Sequence, residues 1–246
     1  MLRRRVARAV AQIVAAGLAC AAPTPAARSA PADGGRPARH EIWDLKLGTP
    51  VAQLPDAFID YACGTNGGPP STPLASWRDF ARCRAEPGGF HEIHFRYDDE
   101  LEYWARANNL RPQMEQFSGT KTYGFPITVS ALIDDDGSVR GIRVVSDPRF
   151  EQHNRDEAYL LRNFLTARFG REGWACDKLA AEDGETPVDG MFVKERCRKE
   201  IDERTTASLG TRHLRKAGQS PIDPRTGRET TGQFESVVRF ELVRGK

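Results

Sequence analysis

The chain has 246 residues, 39% of them hydrophobic, with 36 basic and 34 acidic side chains and a formal charge of +2. That length and apolar content can bury a core. The near-neutral balance excludes the basic footprint of a nucleic-acid binder, and no nucleic-acid partner is expected. Four of the arginines fall in residues 1–21, so the remainder carries 32 basic residues against 34 acidic ones.

Arg3, Arg4, Arg5 and Arg8 make a positive leader, followed by an uncharged stretch, Ala9–Ala19. That stretch is shorter than the roughly 20 apolar residues a bilayer span requires. Ala19-Cys20-Ala21 then offers the small residues that signal peptidase cuts. Residues 1–21 are therefore expected to be a cleavable signal peptide. The rest is expected to be periplasmic or secreted, with no transmembrane segment after cleavage. Arg4-Arg5-Val6 leaves twin-arginine export open beside the general route, and Cys20 leaves a lipid anchor open. Residues 22–39, rich in Pro, Ala, Gly and Arg, read as a disordered linker.

From His40 onward the pattern alternates between short strands and helices. Ile42–Leu47 reads as a strand, and Thr49 and Pro50 open a short helix through Val51 and Leu54. Phe90–Tyr97 reads as a strand, with a helix capped by Asp98 or Asp99 running through Leu101, Trp104 and Ala105. Ile127–Ile133 and Val139–Val145 form a hairpin around Asp135-Asp136-Gly137. Asp156–Phe169 reads as a helix with Gly170 at its C′ position. Met191–Cys197, Thr206–Leu214 and Phe234–Leu242 read as strands, and residues 216–232 as a long loop. On the last strand Ser236, Val238 and Phe240 share a side, with Glu235, Arg239 and Glu241 opposite. The expected class is α+β: antiparallel sheets with packed helices, as a first half over 40–150 and a second over 151–246.

Cys63, Cys83, Cys176 and Cys197 remain after the leader, and an even count in an exported chain favours disulfides. Local spacing favours Cys63–Cys83 and Cys176–Cys197. No C-x-x-C spacing points to zinc or to a redox motif. The surroundings match: Tyr61-Ala62-Cys63 with Cys83-Arg84, and Trp174-Ala175-Cys176 with Cys197-Arg198. Arg82 and Arg84 flank one second cysteine, Arg196 and Arg198 the other. This suggests two related disulfide-stapled halves, an internal repeat.

Leu45-Lys46-Leu47-Gly48-Thr49-Pro50-Val51-Ala52-Gln53-Leu54 resembles the entry helix of small envelope proteins of the SmpA/OmlA type. The rest of the chain looks like uncharacterised exported proteins of Gram-negative bacteria. The resemblance implies a helix pair against a small antiparallel sheet and an accessory role in the envelope, and gives no residue a role.

Candidate chemistry is sparse. His91 and His94 lie three apart on a strand, hence on opposite faces, and are not expected to share a metal ion. A buried His91 and a solvated His94 are expected instead. Glu92, His94 and Arg96 share one face and form the candidate binding cluster. Asp134-Asp135-Asp136-Gly137 lacks calcium-loop spacing and reads as a turn. Asp98, Asp99, Glu100 and Glu102 read as helix-start carboxylates. Asn66-Gly67-Gly68-Pro69-Pro70 lacks the lysine of a phosphate loop and reads as an exposed contact surface. No cofactor or metal is implied and no catalytic residue is assigned. The expected function is a non-enzymatic periplasmic accessory or binding protein with an envelope protein partner. The alternative is a periplasmic hydrolase or small-ligand module using Glu92, His94 and Arg96.

Overall fold

The structure, a computed structural model, describes residues 41–55, 58–96, 108–110, 120–147, 156–216 and 234–245. The expected signal peptide, the linker, the helix begun at Asp98 or Asp99 with its carboxylates, and nearly all of the loop 216–232 lie outside the described residues. Those described belong to one compact unit, Ala38–Lys246.

Among the described residues nine strands form one antiparallel sheet: β1 Ile59–Cys63, β2 His91–Arg96, β3 Lys121–Thr122, β4 Phe125–Ile133, β5 Val139–Ser146, β6 Ala175–Lys178, β7 Val193–Asp202, β8 Thr205–Leu214 and β9 Glu235–Arg244. Their spatial order is β1-β2-β4-β5-β9-β8-β7-β6, with β3 added beside β4. Among the described residues there is one α-helix, α1, Leu161–Arg168. The expected α+β class with packed helices is thus corrected to a mostly antiparallel β fold. Strands from 40–150 and from 151–246 share the sheet through the β5–β9 pairing.

The β4–β5 hairpin forms as its alternation predicts. Gly137 supplies the positive φ (75°) of its turn, and Asp134 accepts hydrogen bonds from the Ser138 amide and the Arg140 guanidinium. Ile42–Leu47 does not extend as a strand: Ile42–Asp44 is a 3-10 turn that puts Ile42 and Leu45 into the core. Val51–Gln53 is a second such turn, with Pro50 rather than Thr49 at its N-cap. The expected helix over 156–169 divides into a 3-10 turn, Ala158–Leu160, and α1.

Strand alternation gives the sheet two unlike faces. On the core face Ile93, Ala131, Ile142 and Leu242 follow one another across β2, β4, β5 and β9, and Phe95, Val129, Val144, Phe240 and Leu209 continue into β8. Leu161 and Leu165 of α1 are fully buried in the same core cluster. Phe169 stacks on Phe240 with ring centroids 4.9 Å apart, and Trp43 meets both edge-on. Lys199 closes the helix end by donating to the carbonyls of Phe169, Gly170 and Glu172, where a cation suits both the free carbonyls and the helix dipole. At the other end of the sheet Trp77 packs edge-on against Phe58, Tyr61 and Phe95.

Both expected disulfides are present. Cys63–Cys83 ties the end of β1 to the end of a 3-10 turn, Trp77–Arg82. Cys176–Cys197 joins directly opposed residues of β6 and β7. These settings differ, and they lend the expected duplication no support. No described helix is long and apolar enough to cross a membrane.

Candidate functional site

The second sheet face is polar. In one transverse row His94, Ser130, Arg143, Glu241, Ser208, Arg198 and Ala175 stand opposite one another from β2 to β6. In the next, Val145, Arg239, Gly210, Arg196 and Asp177 run from β5 to β6. The face divides into a covered part over β2, β4 and β5 and an open part over β6 to β9.

Arg143 organises the covered part. Its guanidinium takes Glu86 with both amino nitrogens (2.7 and 2.9 Å), Glu92 at 2.9 Å and Glu241 at 2.6 Å. Glu92 also accepts from the backbone amides of Asn66 and Gly67, at 2.5 and 3.0 Å. Arg239 holds the same loop from its other side, donating to the Asn66 carbonyl and side-chain oxygen. Burial opposes charge on Arg143, but the three carboxylates outweigh it and hold the guanidinium above its ordinary range. Hydrogen bonding to Arg143 in turn holds Glu86 below the usual glutamate value, against its own burial. Chemically this is a locked ion-pair network whose carboxylates are committed to guanidinium and amide donors.

The loop over this network needs its glycines. A Cβ on Gly64 would lie 2.3 Å from the Glu92 side chain, and one on Gly67, at φ 78°, would lie 2.5 Å from Val145. The Asn66–Pro70 segment, expected to be an exposed contact surface, is fastened to the sheet through Asn66 and Gly67.

The candidate cluster is placed accordingly. Glu92, His94 and Arg96 do share the polar face, but each has a protein partner. Glu92 is 2% exposed and bound as above, and His94 is 3% exposed with Nδ1 2.9 Å from the Val129 carbonyl. Arg96 pairs with Asp60 at 2.6 Å. The expectation of a solvated His94 is overturned. His94 is buried because the polar face is covered here, while His91 is half-buried, touching the Cys83 carbonyl and Asp135.

The open part holds a groove of about 390 Å³, within the range of small-ligand sites. Ser208 and Gly210 of β8 form its floor, with Arg239 and Glu241 of β9 on one wall and Arg196 and Arg198 of β7 on the other. Asp177 and Ala175 of β6 close the edge. The Cys176–Cys197 bridge fastens this edge strand beneath the groove. Arg198 is paired with Glu200 at the surface, and Arg239 is shared by Glu241 and Asn66. Arg196 is exposed and makes no hydrogen bond or ion pair with any described residue, and the Ser208 hydroxyl is likewise unengaged among them. Sequence reading named Arg196 and Arg198 only as flanks of Cys197, and Arg239 and Glu241 only as the outer side of a strand. Strand period identifies their shared face, but which strands lie side by side is long-range information.

Comparison with family models, with curated proteins and with solved structures finds no match for this chain.

Proposed function

We propose that the chain is an exported, non-enzymatic binding protein of the periplasm or extracellular space, and that its ligand docks in the groove over β6 to β9. The groove itself carries this reading: a recess of ligand size on a disulfide-fastened sheet, with polar groups left uncommitted on its floor and wall. By contrast Glu92, His94 and Arg96 are spent on internal contacts, which moves the binding site away from that cluster. Two disulfides in the chain suit an oxidising compartment. A side chain or terminus of an envelope protein and a free small molecule both fit a recess of this kind.

Native mass spectrometry of the chain recovered from the cell envelope or culture medium separates them. The reading expects a complex heavier than the bare chain, its added mass telling a polypeptide from a small molecule, and expects Gly210→Val to lose that mass. Bare wild-type chain under every mild extraction, or full occupancy in the variant, would contradict it.

A further inference from the structure

We infer that the groove recognises an oxyanion, the carboxylate or phosphate group of a small ligand, seated over Gly210 between Arg196 and Arg239. The inference rests on the binding reading above and adds the ligand's charge class.

The geometry begins with register. Arg196 stands opposite Gly210, and Gly210 opposite Arg239, so two guanidinium side chains rise on the strands either side of a residue with none. Neighbouring strands lie about 4.8 Å apart, so the two arginine backbones are separated by about 10 Å. That gap takes one oxyanion, with the unengaged Arg196 guanidinium on one wall and on the other Arg239, whose guanidinium also holds Asn66 and Glu241. Space at the centre is free: a Cβ built on Gly210 meets only the Arg239 carbonyl, at 4.0 Å. Two residues along β8, the Ser208 hydroxyl points to the same face and can donate to the anion's edge.

Charge points the same way. Arg196 has no competing partner among the described residues, so an incoming anion need displace nothing from it. Arg198 is held by a solvent-exposed pair with Glu200, at 68% and 60% exposure, and by a long hydrogen bond to the Thr206 hydroxyl, and such exposed pairs are weak. Of the acids nearby, Glu241 is already bound by Arg143 and Arg239. Asp177 lies outermost, on the edge strand. A planar guanidinium fork matches two oxygens of a carboxylate or phosphate at once, which an ammonium group does not.

Isothermal titration calorimetry of the full, disulfide-intact chain tests this, with citrate and inorganic phosphate as separate probes and Arg196→Gln and Gly210→Val as variants. Both substitutions sit at an open surface, and circular dichroism checks that each variant is folded. Binding of at least one probe is expected, weaker at higher salt. Arg196→Gln should weaken it about tenfold or more, the scale of a lost charge-assisted contact, and Gly210→Val should abolish it. Citrate alone binding assigns a carboxylate ligand; phosphate alone assigns a phosphate. Absence of binding by either probe up to about 10 mM, or binding indifferent to Arg196→Gln, overturns the inference. A neutral or cationic native ligand displaced by Gly210→Val would overturn the oxyanion assignment while leaving the groove as the binding site.

Discussion

Replacing Arg143 with methionine tests the network under the covered half of the polar face. The side chain is 5% exposed and is the shared partner of Glu86, Glu92 and Glu241. Methionine keeps much of the volume but leaves these carboxylates crowded without their cation. Removing one partner from a buried ion pair costs about 3–5 kcal/mol, because the remaining charge is left uncompensated. For a domain of this size that corresponds to a melting temperature lower by about 6–20 °C. The pH dependence carries a sign. The folded-state pKa of Glu86 lies below its ordinary value because of Arg143. Its stabilising contribution is therefore complete above about pH 4.5 and lost as pH falls through the lower folded value. The variant lacks that contribution and gains relief when its crowded acids protonate. Urea unfolding at about pH 7 and about pH 3.5 should show a wide gap between wild type and variant that narrows in acid. An equal or wider gap at the lower pH would refute this account of the network.

Three further outcomes are expected. Replacing Cys176 and Cys197 by serine removes a bridge across 21 residues and should cost about 3 kcal/mol in the chain-entropy model, read as a shift of the urea midpoint. Gly67→Ala, whose new Cβ would lie 2.5 Å from Val145 at a positive φ, should cost about 1–3 kcal/mol. Gly210→Ala should change the same midpoint little, so equal effects would mean the crowding at Gly67 is misplaced. Burial lowers the pKa of His213, against the pull of Asp156 and Asp189, so the fold favours the neutral ring. Stability from this group is present above about pH 6.5 and lost as pH falls through the lower folded value. His213→Gln should flatten that part of the stability profile, seen in melting temperatures from about pH 7 to pH 5.

What sequence could show here follows from the range over which each feature is decided. Hairpin β4–β5 was legible because its alternation and its Asp-Gly turn are local. The two faces of β9 and the cysteine pairing were legible for the same reason. The ends of β7 were hidden because Arg198-Lys199-Glu200 lacks the branched and aromatic residues of strands. Of these side chains Lys199 finds its partner far along the chain, on the end of α1, while Arg198 pairs locally with Glu200. The long-range pairing of β5 with β9 turns the expected α+β architecture into a single broad sheet. His94 was misplaced because alternation tells which residues share a face but not whether that face is covered. Its cover is fastened by Glu92 to Asn66, 26 residues away, and by Arg239 to Asn66, 173 residues away. Arg143 left one faint local signal, an arginine between the apolar Ile142 and Val144.

The central claim is that the open half of the polar face binds a ligand, and NMR of the folded chain tests it most directly. Citrate and phosphate would be titrated while the Gly210 and Ser208 amides and the arginine Nε–H groups are followed. The account predicts that Arg196, Arg239, Ser208 and Gly210 shift together and saturate with one dissociation constant, while Glu92 and His94 stay still. Shifts centred on Glu92, His94 and Arg96, or no saturable shift on this face with either probe, would contradict it.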